Sequence, residues 1–290
     1  MSKAMARIGT TLFAACLILT ACQANSQTQG QPNASQGHDG ASQEGDVKVN
    51  VGVVTDEPGF NQLTPGSIAR EGFDYKLYNW LGYRAPRLLP VPVDVTIEDR
   101  VNKLREGSVK LVVATFAITD ERRKYVGFAG PYMLARQGIM VRSGDKRFHK
   151  IDDLAGKSVC VLSGSTTLER LNGLPYKMTI TSMNGLSQCI ARLLAGTDDV
   201  VTSDDVVLEG FARMDPTHLA IVKEVTFGNQ ERYGVGLPRG DITLCETVTA
   251  KLRDLLISNT WDDYFKEYFP DLSNNIAQYR PDPNQLDHCE

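Results

Sequence analysis

The chain is short of most features that announce a chemistry. Its formal net charge is only −4 over 290 residues. That lacks the basic footprint of a nucleic-acid binder and is too small to imply a basic partner. Histidine occurs four times. His38, His149 and His218 stand apart from other ligand-type residues and read as surface positions, and His288 has only Cys289 beside it. With no CxxC pair either, nothing suggests a metal site. GxSxG and HExxH are absent, and Gly156-Lys157-Ser158 lacks the upstream glycine of a phosphate-binding loop. No nucleophile, acid–base pair or cofactor is implied, so an enzyme is not expected. The 42% hydrophobic and 23% charged content is ordinary and supports one large or two modest domains.

The N-terminus carries an address. Lys3 and Arg7 precede an apolar stretch, Ile8 to Thr20, of signal-peptide length and too short for a typical membrane span. It ends in Leu19-Thr20-Ala21-Cys22, which resembles the lipobox of bacterial lipoproteins. That resemblance implies lipidation of Cys22 and attachment to the outer face of the cell membrane through the lipid alone. A plain secretory signal cut near Ala21 would instead leave Cys22 as a spare thiol. Gln23 to Asp46 is rich in Gln, Ser, Gly and Asn and reads as a flexible tether.

From residue 47 onward, strands and helices alternate. Val49–Thr55 reads as a strand, Gly72–Tyr83 as a helix, and Leu88–Val95 as a strand kept at an edge by Pro90 and Pro92. Ile97–Glu106 reads as an amphipathic helix. Leu111–Phe116 is expected as a buried strand that turns at Ala117–Arg122 into a helix. Thr119 can cap that helix, with Asp120 and Glu121 in its first turn. Such a turn offers backbone N–H groups to an anion, and Arg122 adds a planar fork that can grip a carboxylate. An ordinary capped connection with a solvated Arg-Arg-Lys face would look the same locally.

Ile139–Arg142 reads as the exit from a first lobe. The pattern then repeats: strand at Lys157–Leu162, hydroxyl-rich turn at Ser163–Thr167, helix, strand at Tyr176–Thr181, helix at Gly185–Gly196, and a short strand at Val200–Val201 ending in Thr202-Ser203-Asp204-Asp205. Val206–Met214 reads as a helix, and Leu219–Val225 and Arg232–Pro238 as separate strands. Helices follow at Thr243–Ser258 and Thr260–Phe269; Trp261, Tyr264, Phe265 and Tyr268 fall at helical spacing as core residues. The expected architecture is α/β and two-lobed, with a hinge and a ligand cleft between the lobes. Leader 1–22 and tether 23–46 precede lobe 1 (47–142 plus 235–290) and lobe 2 (143–234). Four cysteines of the mature chain, Cys160, Cys189, Cys245 and Cys289, allow three connectivities. Pairing within each lobe favours Cys160–Cys189 and Cys245–Cys289.

The stretches ATFAITDERRKYVGFAGPY (Ala114–Tyr132), VCVLSGST (Val159–Thr166), DDVVTSDDVVL (Asp198–Leu208) and RYGVGLP (Arg232–Pro238), in this order behind a lipobox, resemble the family 3 extracellular solute-binding proteins. These are the polar amino-acid receptors of ABC importers, and the wording is most similar to glutamate- and glutamine-type binding lipoproteins of actinobacteria. The resemblance implies a monomer that delivers a polar α-amino acid (glutamate, glutamine or aspartate) to an ABC permease and its ATPase. By the same resemblance Arg122 grips the α-carboxylate, helped by the Ala117 N–H and by Ser165 and Thr166. Thr115 and Asp204 receive the α-ammonium, and Phe60 and Phe116 line the ligand. Many relatives carry Ser or Thr at Ala117, and an acid at Lys110. Gln62, Arg70 and Arg136 are the candidates for reading the ligand side chain. The same site would also serve a sensor signalling to a membrane partner, and the fold occasionally hosts a dehydratase.

Overall fold

The computed structural model describes residues 47–64, 66–83 and 88–290. The leader, Cys22, the tether and His38 lie outside the described residues. An eight-stranded sheet is flanked by helices. Strand β1 (Val47–Val53) is followed by a small three-stranded sheet of β2 (Asp56–Glu57), β3 (Asn61–Leu63) and β4 (Arg70–Glu71). Helix α1 (Phe73–Tyr83), strand β5 (Leu88–Asp94), helix α2 (Arg100–Arg105) and strand β6 (Leu111–Val112) come next, then the single-turn α3 (Asp120–Arg123) and β7 (Val126–Arg142). The second part runs β8 (Ser158–Leu162), α4 (Thr166–Asn172), β9 (Thr179–Met183), α5 (Leu186–Leu194), β10 (Val200–Asp204) and α6 (Asp205–Met214). Strand β11 (Leu219–Pro238) and helices α7 (Ile242–Ile257) and α8 (Thr260–Tyr268) complete the chain before a 3₁₀ segment at Pro270–Gln278.

The sheet order is β5-β1-β6-β11-β7-β10-β8-β9. The parallel strands β5, β1 and β6 form one end, and β10, β8 and β9 the other. The antiparallel pair β7/β11 belongs to both ends: Val112 of β6 pairs with Gly236, whereas Asp204–Val201 of β10 pair with Gln137–Met140. Two long strands thus carry the chain between the lobes. Prolines 90 and 92 sit in β5, the outermost strand of its end. An edge strand tolerates a missing N–H donor on its open side.

Several local expectations are corrected. Leu219–Val225 and Arg232–Pro238 are not separate strands but one β11, with register shifts at Ile221/Thr226, Phe227/Glu231 and Tyr233/Val235. Val126–Arg142, read only for its last four residues, is a single strand buried along nearly its whole length. Burial on both faces removes the alternation that marks a strand locally, and the partner that makes it a strand lies a hundred residues away. Leu111–Phe116 is buried as expected, but only Leu111 and Val112 pair. The chain then leaves the sheet, with Thr115 at a positive φ of 45°.

The core under β1 and β6 is closed by α1, α7 and α8. Trp261 and Phe265 are fully buried; Trp261 donates to the Tyr132 carbonyl (2.7 Å) and meets Phe73 edge-on. Cys160 of β8 is bonded to Cys189 of α5, and Cys245 of α7 to Cys289 near the C-terminus. The terminal strap is further held by Asp287, which receives both Arg123 and Arg232. Lys110 meets Asp241 at 2.7 Å. His149 and His218 are exposed.

Candidate functional site

The polar ends of the strands expected at Leu111–Phe116, Lys157–Leu162 and Val200–Val201 converge on one small cleft between the lobes. Glu57, Arg100, Thr115 and Ala117 line it from the first lobe, and Ser165, Thr166, Ser203 and Asp204 from the second. The lobes are in contact around it. The Ser187 N–H donates to Asp56 Oδ2 (2.9 Å), and Arg122 Nη2 reaches across to the Gly164 carbonyl (3.1 Å).

Arg122 is held by its local turn. Thr119 caps α3, accepting from the Arg122 N–H at 3.2 Å. The helix is only four residues long, so the expected helix-end contribution to anion binding falls away: too few peptide dipoles align. What remains is the guanidinium itself. It is buried, stacks 5.2 Å over Phe116 and donates Nη1 to the Ala117 carbonyl at 2.8 Å. Its partners are backbone carbonyls, and among the described residues it makes no ion pair. Burial pulls its pKa down, opposed by the charges of Glu169, Glu231 and Asp204. A bound anion would remove that penalty.

Ala117 forms an isolated bridge with Tyr233 of β11. The flanking Phe116 carbonyl accepts from the Gly234 N–H (2.9 Å), and the Ile118 N–H donates to the Arg232 carbonyl (2.8 Å). Because peptide groups alternate along an extended chain, the N–H of Ala117 is turned to the opposite, cleft side. Thr166 begins α4; its hydroxyl accepts from Gln137 Nε2 at 3.4 Å, which leaves the hydroxyl proton for another acceptor. The Ser165 hydroxyl is already engaged, donating to the Leu162 carbonyl (2.8 Å) and capping Leu168 N–H (3.2 Å).

Asp204 supplies the opposite charge. Tyr233 donates its hydroxyl to Asp204 Oδ2, while Oδ1 is buried with no hydrogen-bond partner among the described residues. Burial drives its pKa well above the usual carboxylate range; Glu231 adds repulsion and the Tyr233 bond works against both. A cation beside Oδ1 would stabilise the ionised form. Thr115 stands opposite, and its hydroxyl donates to Glu57 (2.9 Å to Oε2) and keeps lone pairs free. Its unusual backbone is fixed from behind: Asp74 accepts the Thr115 N–H (3.1 Å) and the Tyr132 hydroxyl (2.9 Å).

Phe60 and Phe116, expected against the ligand, support the cleft from behind and are fully buried. Phe60 packs on Tyr233 and Phe269, and Phe116 lies beneath Arg100 and Arg122. Gln62, Arg70 and Arg136, the candidates named for reading the side chain, do not line the cleft. Gln62 bonds Glu71, Arg70 pairs with Asp94 at 2.6 Å, and Arg136 lies by Asp205 outside it. In their place stand Glu57 and Arg100, both unread in the sequence. Glu57 lies in the short β2 and Arg100 opens α2, within the helix expected at Ile97–Glu106. The one usable signal was that Arg100 interrupts the apolar face of its helix.

An α/β molecule of two lobes, with a buried cation and a buried anion facing one interlobe cleft, is a solute-binding architecture. The chain belongs to the bacterial extracellular solute-binding proteins, family 3, whose profile matches residues 49–271. It is 25% identical over 261 residues to the ABC transporter glutamine-binding protein GlnH of Bacillus subtilis, covering 89% of this chain and 94% of that one. It is 26% identical over 301 residues to the glutamate-binding protein GluB of Corynebacterium glutamicum, covering 96% of each. Among solved structures, an ancestral arginine-binding protein bound to glutamine matches with a TM-score of 0.71 and 26% identity, over 77% of this chain and 97% of that one. The fold is shared with an ancestral amino acid-binding protein described as a precursor of cyclohexadienyl dehydratase (TM-score 0.70, 24% identity). GlnH and GluB are both named as amino-acid-binding proteins.

Proposed function

We propose that this protein captures a polar α-amino acid, with glutamate, glutamine and aspartate as the candidate ligands, by closing its lobes over it, and delivers it to an ABC permease and its ATPase. The observation that carries this reading is the placement of two unmet charges at one cleft: Asp204, in its lining, with Oδ1 lacking a donor among the described residues, and Arg122, just behind the lining on the Ala117 and Gly164 carbonyls, lacking a carboxylate among the described residues. An α-amino acid in zwitterionic form meets both at once. Arg122, the Ala117 N–H and the Thr166 hydroxyl receive the carboxylate; Asp204 and Thr115 receive the ammonium. Ser165 acts by capping and shaping the turn. Glu57 and Arg100 are left to face the side chain. Contacts from both lobes mean that ligand stabilises the closed form over the open one.

In this reading lobe 1 comprises 47–142 and 235–290, lobe 2 comprises 143–234, and the lobes move about β7 and β11. The protein works as a monomer outside the cytoplasm, lipid-anchored at Cys22. Its relatives GlnH and GluB, named for glutamine and glutamate binding, support the ligand class. The test is calorimetry against the twenty amino acids, with Arg122→Ala and Asp204→Ala beside the native protein. Each variant should lose at least about 2 kcal/mol, roughly thirtyfold in affinity, the scale of a charge-assisted contact. Unchanged affinity in both variants would overturn the site, and no binding of any amino acid would overturn the receptor reading.

A further inference from the structure

Two charged groups in the cleft have no task in gripping the α-carboxylate and ammonium. Arg100 is 2% exposed, donates Nη1 to the Ala114 carbonyl (2.6 Å), and stacks 4.2 Å over Phe116. Its Nε is buried and has no partner among the described residues. Glu57 is 3% exposed, and among the described residues its side chain receives only the Thr115 hydroxyl. The two feel each other's charge without closing an ion pair. Side by side, they offer a ligand side chain one fixed donor and one group that can either accept or donate.

We propose that this subsite is proton-linked: Glu57 takes up a proton from solvent when the ligand's distal group is a carboxylate, and stays ionised when it is an amide. The inference rests on the amino-acid reading above. Beside Arg100, an amide can place its carbonyl oxygen on the guanidinium and its NH₂ on ionised Glu57. A carboxylate also places an oxygen on Arg100, but its second oxygen then confronts Glu57. Two carboxylates in one buried site cannot both ionise without a large cost. One proton shared there converts repulsion into an O–H donor bond, so the same cleft accepts glutamate and glutamine.

The surroundings make that proton available near neutral pH. Burial raises the Glu57 pKa to about 7, with Asp74 of α1 adding repulsion; the Thr115 bond and Arg100 of α2 lower it, and the adjacent Asp56 raises it. Tyr132 of β7 and Tyr233 of β11 also face Glu57, and both are held neutral by their own burial. Arg122 acts on Arg100 and so only indirectly on Glu57. A nearby ligand carboxylate pushes the Glu57 pKa further up, which is the linkage.

The experiment is calorimetry of the intact protein with L-glutamate and L-glutamine at pH 8 in phosphate and in Tris, buffers of very different ionisation enthalpy. Close to one proton should be taken up per glutamate and close to none per glutamine. Between pH 7.5 and 8.5 glutamate affinity should fall by about tenfold, while glutamine affinity stays level. Glu57→Gln, which keeps a partner for Thr115, should abolish the proton uptake and flatten the glutamate profile. Binding of both ligands with equal proton counts would overturn the proposal and leave the amino-acid reading standing. Glutamate-linked uptake that persists in Glu57→Gln would overturn the assignment to Glu57. Binding of neither ligand, nor of any other amino acid, would overturn the underlying reading and the proposal with it.

Discussion

Tyr233 donates its phenolic hydroxyl to Asp204 Oδ2, and the other oxygen of that cleft-lining carboxylate is buried with no hydrogen-bond partner among the described residues. The two residues come from different elements, β11 and the end of β10. Their contact ties the orientation of the Asp204 carboxylate to a strand that passes between the lobes.

Tyr233→Phe isolates this bond. The ring is packed against Phe60 (6.0 Å) and Tyr132 (6.1 Å), so the fold should persist. The lost donor leaves a buried carboxylate oxygen unmet, a cost of about 1–3 kcal/mol. Amino-acid affinity measured by calorimetry should fall about tenfold with little change in far-ultraviolet dichroism. Native affinity in the variant would show that Asp204 is oriented by something else.

Gly210→Ala tests closure. A Cβ at Gly210 in α6 would stand 1.9 Å from the Pro58 carbonyl oxygen of the opposite lobe. Within its own helix the substitution is favourable by about 1 kcal/mol. Thermal stability should therefore hold or rise, while ligand affinity drops and small-angle scattering shows no compaction on ligand addition. Compaction equal to the native protein would mean that the close approach is not required for binding.

Stability should depend on pH in a defined direction. Asp74 and Glu57 are both raised by burial to about 7, from reference values of 3.8 and 4.5. Between about pH 4 and pH 7 the folded chain therefore holds protons that the unfolded chain has released. Their contribution is fully present below pH 4 and is lost as pH rises through 7. Asp145, Asp199 and Asp241 are shifted downward by their partners, and their contribution is lost only below about pH 4, so it is flat in this window. The melting temperature of the ligand-free protein should fall from pH 5 to pH 8, and Asp74→Asn should reduce the slope. A rising melting temperature across that range would contradict the assignment.

Replacing Cys245 and Cys289 together by serine opens a loop of 44 residues. The chain-entropy cost of such a loop is about 4 kcal/mol, which for a chain of this size corresponds to roughly 10 °C in melting temperature. The strap that carries Asp287 to Arg123 and Arg232 would loosen with it. An unchanged melting curve would show that those ion pairs alone hold the strap.

Much of this molecule was legible from order along the chain. Strand–turn–helix units with polar ends at Thr115, Thr166 and Asp204 could be read because period, caps and turn residues are local. The long β7 and β11 were not legible. Val126–Arg142 is buried on both faces and punctuated by glycine and proline, and its identity as a strand depends on a partner distant in sequence. The same holds within the site. Phe60 and Phe116 could be called apolar residues near the ligand, but their place behind the cleft is a matter of packing.

By itself the sequence determined the α/β class and the polar strand ends, and it singled out Arg122 and Asp204, because each follows from short-range pattern or from motif wording. Tertiary structure decided what those charges meet. Among the described residues it left Arg122 with carbonyl partners only, tied one oxygen of Asp204 to Tyr233, and brought Glu57 of β2 to the same cleft as Arg100 of α2. Charge interactions depend on distance and burial rather than on sequence spacing. The juxtaposition of Glu57 and Arg100 at the cleft could therefore appear only once the chain was folded.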